Sequence, residues 1–324
     1  MLYLTTRGRS DAYTPARALQ ENRSPDGGLY VPRQEPDLRE LAENAENRSS
    51  YAIIAQVLNT LLDSHLSPMD VEFALGAEPF QVSDLDARTR IAELWHNPDG
   101  DFLRHALNLK RAVVGAEAEE FASDWLKIAA RIALLTALTA AMQPREPLDL
   151  VVPSGDFSAA MAAEYGKSWG LPIDRIIVCC NENNGLWNLF HLGEIRTEGT
   201  LFETSTPECD YLIPPDLERL LCRRFGRKEA LRFALAQEAG KTFYLEENQL
   251  PVLKKGMYIT VVGMERIPVM ISSMKLTQGY DAGEYTALCY VGLLDFRARH
   301  KGSAAALILD EKRKEMENGA VRNR

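Results

Sequence analysis

Two short apolar runs with one helical stretch between them constrain this chain more than any other feature. They are LDLVVPSG (148–155) and RIIVCCNENNG (175–185), and the helix between them reaches about Gly170. A strand that is apolar at every position has both faces covered, and two such strands joined through a helix run parallel in one sheet. The fold class is therefore α/β, a parallel sheet between helical layers. The turn after the first run, Pro153-Ser154-Gly155-Asp156-Phe157-Ser158, is a strand-to-helix turn of the kind that presents free backbone N–H groups to an anion. Asp156 stands in its middle. A carboxylate there either caps the helix or repels a phosphate, so the turn alone supports two opposite readings.

Around this unit the pattern is mostly helical. SPDGGLYVP (24–32) reads as a turn feeding a short strand. From Leu38 to about Leu75, Tyr51, Ile54, Val57, Leu58, Leu61 and Leu62 recur three and four apart, which predicts a helical cap. Residues 102–143 continue helical, helices are expected over 214–225 and 227–239, YITVV (258–262) as a strand, and 303–317 as a mixed strand or helix with a charged tail. The expected division is a cap over 1–90 and an α/β part over 91–324.

The charge and cysteine content exclude several classes. A net charge of −9 argues against a nucleic-acid surface, which needs clustered Lys and Arg. The most apolar stretch, 125–142, is interrupted by Lys127 and Arg131 and does not read as a membrane span, and the N-terminus lacks an apolar signal core. Five cysteines without a CxxC pair or histidines at ligand spacing make neither a disulfide framework nor a metal site, and they suit a reducing cytoplasm. Cys179-Cys180 reads as strand packing.

Several blocks, in order, resemble one family. They are LTTRGRSDAYTPARALQENRSPDGGLYVP (4–32), ELWHNPDGDFLRHALNL (93–109), VVPSGDFSAAMAAEYGKSWGLPIDRIIVCCNENNGLWNLFHLGEI (151–195), PDLERLLCRRFG (215–226) and, more loosely, TQGYDAGEYTAL (277–288). Together they are similar to threonine synthase, a pyridoxal-phosphate (PLP) enzyme of the tryptophan-synthase β-like type that converts O-phosphohomoserine to threonine. The resemblance implies that fold, that cofactor and a Schiff-base lysine directly after Phe102.

The departures bear on the chemistry. Leu103 stands at the lysine position and cannot form an imine. Lys110, two helical turns on, is the weak substitute. Between about Leu109 and Ser123 the family's segment with the SGDTG loop is reduced to KRAVVGAEAEEFA, which implies a small cofactor-side subdomain largely deleted around 110–122. The phosphate turn reads GNFG in the family and Gly155-Asp156-Phe157-Ser158 here. A carboxylate about 4 Å from a phosphate charge repels it by roughly 4 kcal/mol at a surface dielectric. LILDEKRK (307–314) replaces the family's Thr-Ala-His-Pro beside the cofactor ring.

The resemblance with these departures implies a degenerate member, without PLP and without turnover, kept as a binding or scaffold protein. The alternatives are a PLP enzyme with an altered site and a sensor of a small polar ligand. For the sensor the ligand residues are His96, Ser154 to Ser158, Asn181, Glu182 and Asn183. His65, His105, His191 and His300 read as packed or solvated, and Asp281, Glu284 and Glu311 as helix-face carboxylates. No metal is expected. The partner is a small polar ligand or another protein, with no nucleic acid and no membrane, and a homodimer covers whatever apolar surface the deletion exposes.

Overall fold

The structure is a computed structural model, and it describes residues 1–8, 11–21, 23–43, 48–76, 78–96, 100–119, 125–302 and 304–312. The chain opens on strand β1 (Tyr3–Thr5), helix α1 (Pro15–Gln20) and β2 (Tyr30–Pro32), with β1 and β2 antiparallel. The SPDGG turn that sets this pairing needs Gly27 at φ +75°, and Asp26 Oδ1 accepts from Gly28 N at 2.9 Å. The expected cap is three helices: α2 (Arg39–Glu43), α3 (Ser50–Leu62) and α4 (Pro68–Leu75). Asp63, left-handed at φ 52°, stops α3, and a capping box between Ser67 and Asp70 with Pro68 behind it starts α4.

A hairpin that the sequence pattern did not announce follows: β3 (Gln81–Asp86) and β4 (Thr89–Glu93). Helices α5 (Phe102–Val114) and α6 (Trp125–Met142) lead to β5 (Leu148–Pro153), α7 (Ser158–Ser168) and β6 (Ile173–Cys180), the β-α-β unit where it was expected. The rest is α8 (Gly185–Leu192), β7 (Glu194–Ile195), α9 (Leu217–Phe225), α10 (Arg227–Glu238), β8 (Phe243–Tyr244), α11 (Leu250–Lys254), β9 (Met257–Val261), α12 (Arg266–Thr277), α13 (Glu284–Arg299) and β10 (Ala306–Asp310). The segment over 110–122, where the resemblance implies a deletion, falls on the end of α5 and the residues after it, of which 120–122 lie outside the described residues.

Six strands form the central sheet in the order β3-β4-β10-β5-β6-β9, all parallel except the edge strand β3. Alternation sorts their side chains: Leu150, Val152, Ile176 and Val178 enter the core under α6 and α7, while Ile91, Val151, Ile177 and Ile308 enter the core under α13. A boundary at residue 90 falls inside β4, so the N-terminal part and the α/β part share this sheet. The N-terminal segment is also clamped to α9, where Glu218 accepts from Thr6 Oγ1 and, at 2.8 Å, from Arg7 Nη2. Helix α6 is apolar and long enough to cross a membrane, yet 89% of that stretch is buried inside this fold. Its alanines let α3 and α7 approach closely.

Parallel strands place their carboxyl ends along one edge, and there Pro153, Cys180 and Asp310 end β5, β6 and β10. In open α/β sheets ligands bind outside that edge.

Candidate functional site

A cavity of about 280 Å³ opens at this edge, beyond β5 and β10. Leu103 from the first turn of α5, Lys127 and Arg131 from α6, Ser154, Gly155 and Asp156 from the turn after β5, and Glu311 and Lys312 beyond β10 line it. Glu208, Cys209, Tyr211 and Tyr285 close the far side. Leu103, at the position where the resemblance implies the lysine, and Ser154 to Asp156 of the expected phosphate turn are thus brought to one place, and Phe157 and Ser158 lie directly beneath them in the core.

The turn keeps its fold. Gly155 (φ +44°) and Phe157 (φ +73°) are left-handed, an uncommon state for Phe that persists because its ring is fully buried. Phe157 N donates to Ser154 O at 2.9 Å and Ser154 N to Cys179 O at 2.8 Å. Of the two readings of Asp156 its contacts favour the cap: Oδ1 accepts from Ser158 N at 2.9 Å and from the Ser158 hydroxyl at the start of α7, whose own N-cap residue makes no side-chain bond. Oδ2 lies 3.6 Å from Lys127 Nζ.

The pairing continues. Arg131 Nη1 donates to Ser158 Oγ at 2.9 Å, and its Nε and Nη2 meet both oxygens of Glu311 at 2.6 Å each. The guanidinium also stacks 4.3 Å over Phe102. Lys127 and Arg131 are buried, at 7% and 4% exposure. Burial by itself lowers the Arg131 pKa, but the Glu311 charge and hydrogen bonds more than offset it and hold the group charged. At the mouth, Lys312 Nζ lies 2.7 Å from Glu208 Oε1. Cys209 is an inert member of the wall, because burial pushes its thiol up to about 12.

The remaining sequence candidates lie elsewhere. Lys110 is buried and donates to Glu119 O at 2.6 Å, lining a separate hollow with Leu19, Gln20 and Gly115. His96 stacks on Trp95 at 4.3 Å and sits 3.1 Å from Glu93 Oε2, and it does not line the cavity. Asn181 Nδ2 donates to Asp210 Oδ1 at 2.6 Å, and Asn183 exchanges bonds with the backbone of Phe202. Both therefore hold the loop that carries Glu208 to Tyr211 against the cavity. Glu182 is exposed and, with Asn183, lines a different cleft. Glu311 lies beyond a strand rather than on a helix face. His105 is fully buried, and burial, with His96 nearby, lowers its pKa to about 4, so it stays neutral.

Reading the sequence missed three of the principal groups, Lys127, Arg131 and the partnership of Glu311. The signal was present: two cations four residues apart in the most apolar helix must share one face and find anions. It also missed a second acidic cluster. Register places Asp310 beside Glu93, and the Tyr280 hydroxyl reaches Glu93 Oε1 at 3.0 Å and Asp310 Oδ2 at 3.2 Å.

Three comparisons with known proteins bear on this site. A family model described as threonine synthase N terminus matches residues 2–72. The chain is 36% identical over 90 residues to threonine synthase of Eremothecium gossypii, covering 28% of this chain and 17% of that one. It is 28% identical over 149 residues to human threonine synthase-like 1, covering 45% and 20%. These matches thus span a fifth or less of the relatives' own length. Among solved structures, PLP-bound threonine synthase from Brucella melitensis superposes with a TM-score of 0.86 at 18% identity, over 97% of this chain and 89% of that one. Yeast threonine synthase gives 0.81 at 16% identity, over 96% and 87%.

Proposed function

We infer that this chain, which has the threonine synthase fold and carries that family's N-terminal segment, is a threonine synthase-like protein that has left PLP catalysis and keeps its cavity for a small polar ligand or a protein partner. The observation that carries this reading is the lining of one cavity. Leu103 lines it where the resemblance implies the imine lysine, and its phosphate turn is capped by the chain's own Asp156. The residues do not fit PLP. A leucine offers no amine, and the helix-start N–H of Ser158 already donates to a carboxylate that a phosphate dianion would have to face. What the residues do is pair two buried charged cations, Lys127 and Arg131, with carboxylates and shape a polar-rimmed space that opens at the strand ends.

The test is an absorbance scan of the pure protein with excess PLP, then borohydride reduction, peptide mass mapping and an assay with O-phosphohomoserine. No spectral change, no adduct and no turnover are expected. Turnover of O-phosphohomoserine would overturn the reading.

One observation favours a second reading, an enzyme with a relocated imine. Lys127 presents an amine to the same cavity, whereas Lys110 does not. That reading requires an adduct that maps to Lys127 and disappears in Lys127→Ala.

A further inference from the structure

We propose that Asp156 is a built-in anion that sets the ligand class of the cavity, excluding phosphate-bearing molecules and leaving uncharged or zwitterionic ones. This deepens the reading above and rests on it. The start of α7 turns its free N–H groups and the positive end of its dipole toward the turn after β5, and Lys127 and Arg131 lie beneath, each more than nine-tenths buried. Buried cations persist only with anions beside them. The chain supplies every one of those anions itself.

The lining cations are matched one to one: Lys127 with Asp156 at 3.6 Å, Arg131 with Glu311 at 2.6 Å and Lys312 with Glu208 at 2.7 Å. Glu311 and Glu208 reach their cations from the strand end and from the opposite loop. Asp156 alone sits at the helix start, on the N–H a bound phosphate would use. Its carboxylate is fixed by that N–H, by the Ser158 hydroxyl and by Lys127, so it cannot swing aside without uncapping α7. Tyr211 and Tyr285 also line the cavity; the Tyr285 hydroxyl accepts from Glu208 N at 3.1 Å and keeps its own proton to donate, which suits a ligand that carries no net charge.

The experiment follows thermal unfolding of the full chain in inorganic phosphate up to about 10 mM at constant ionic strength, for the wild type, Asp156→Asn, Asp156→Ser and Ser158→Ala. Asn and Ser both still accept from the residue-158 N–H, so α7 keeps a cap in either variant. The expected result is no shift for the wild type or Ser158→Ala. Both Asp156 variants are expected to gain about 2 °C or more, with at least tenfold tighter phosphate binding. A wild-type shift equal to theirs overturns the proposal, and so does an absent shift in both Asp156 variants. Inorganic phosphate forms no imine, so a borohydride adduct on the wild type would defeat the functional reading while leaving this result to be judged separately.

Discussion

At the scale of single residues, the cavity behaves as a set of coupled charges. Glu311→Gln leaves the Arg131 guanidinium, 4% exposed, without its two-point partner. A loss of about 3–5 kcal/mol is expected in urea unfolding. The double variant Arg131→Met with Glu311→Leu, which removes both charges, is expected to recover most of it, and a double variant no more stable than the single one would refute the account. Asp310 gives a pH signature. Burial pushes its carboxyl up to about 6, although Trp95 Nε1 and the Tyr280 hydroxyl donate to it. The folded chain therefore keeps a proton that the unfolded chain releases near pH 4. The stability this contributes is complete below the unfolded value and is lost as pH rises through about 6. Asp310→Asn is accordingly expected to match the wild-type Tm near pH 4 and to exceed it at pH 7. A difference independent of pH would show that ionisation is not the cause. Leu103 and Asp156 were legible in the sequence because each departs from a local motif. The Arg131 to Glu311 pair was not, since 180 residues separate its members and only the insertion of β10 beside β5 joins them.

At the scale of elements, the readable ones were those whose period is local and uninterrupted. The two apolar strands and the helix between them came out where the pattern put them, and the ERLL helix (α9) likewise. The run over 38–75 was read as one cap because its apolar spacing survives the breaks. Only the left-handed Asp63 and the Ser67-Pro68 start, both visible as turn chemistry, divide it. The β3–β4 hairpin has no such pattern, because β3 is an edge strand with mostly exposed residues, so its alternation is weak. Helix α6 makes a sharper claim: Ala133 and Ala137 are 0% and 1% exposed and sit in the close packing around that helix. Ala137→Leu is expected to cost about 1–3 kcal/mol by overpacking, read from the urea midpoint at unchanged m-value. A neutral result would mean that the helix has room its alanines do not use.

At the scale of the whole molecule, the N-terminal part is not an independent cap: α3 packs on α6, and β3 and β4 extend the central sheet. Charge, composition and the β-α-β unit were enough to identify an α/β chain. Assembly was not legible in the same way, since a surface is defined by residues distant in sequence. Met69 and Phe73 on α4 are 77% and 90% exposed, one turn apart beside a hollow lined by Leu66 and Val113. Such a patch is a candidate contact between copies. Light scattering at micromolar concentration is expected to give a dimer that Phe73→Asp returns to a monomer; a wild type already monomeric would leave the patch as plain surface.

The position of β10 between β4 and β5 also has a consequence for biosynthesis. Every other strand of the central sheet is synthesised before it, so β4 and β5 leave the ribosome with open edges facing an empty slot. Until residues 306–310 arrive, the nascent chain carries two unpaired, apolar strand edges, the feature that recruits chaperones and promotes aggregation. A premature stop shortly before Ala306 would therefore cost far more than the few residues it removes.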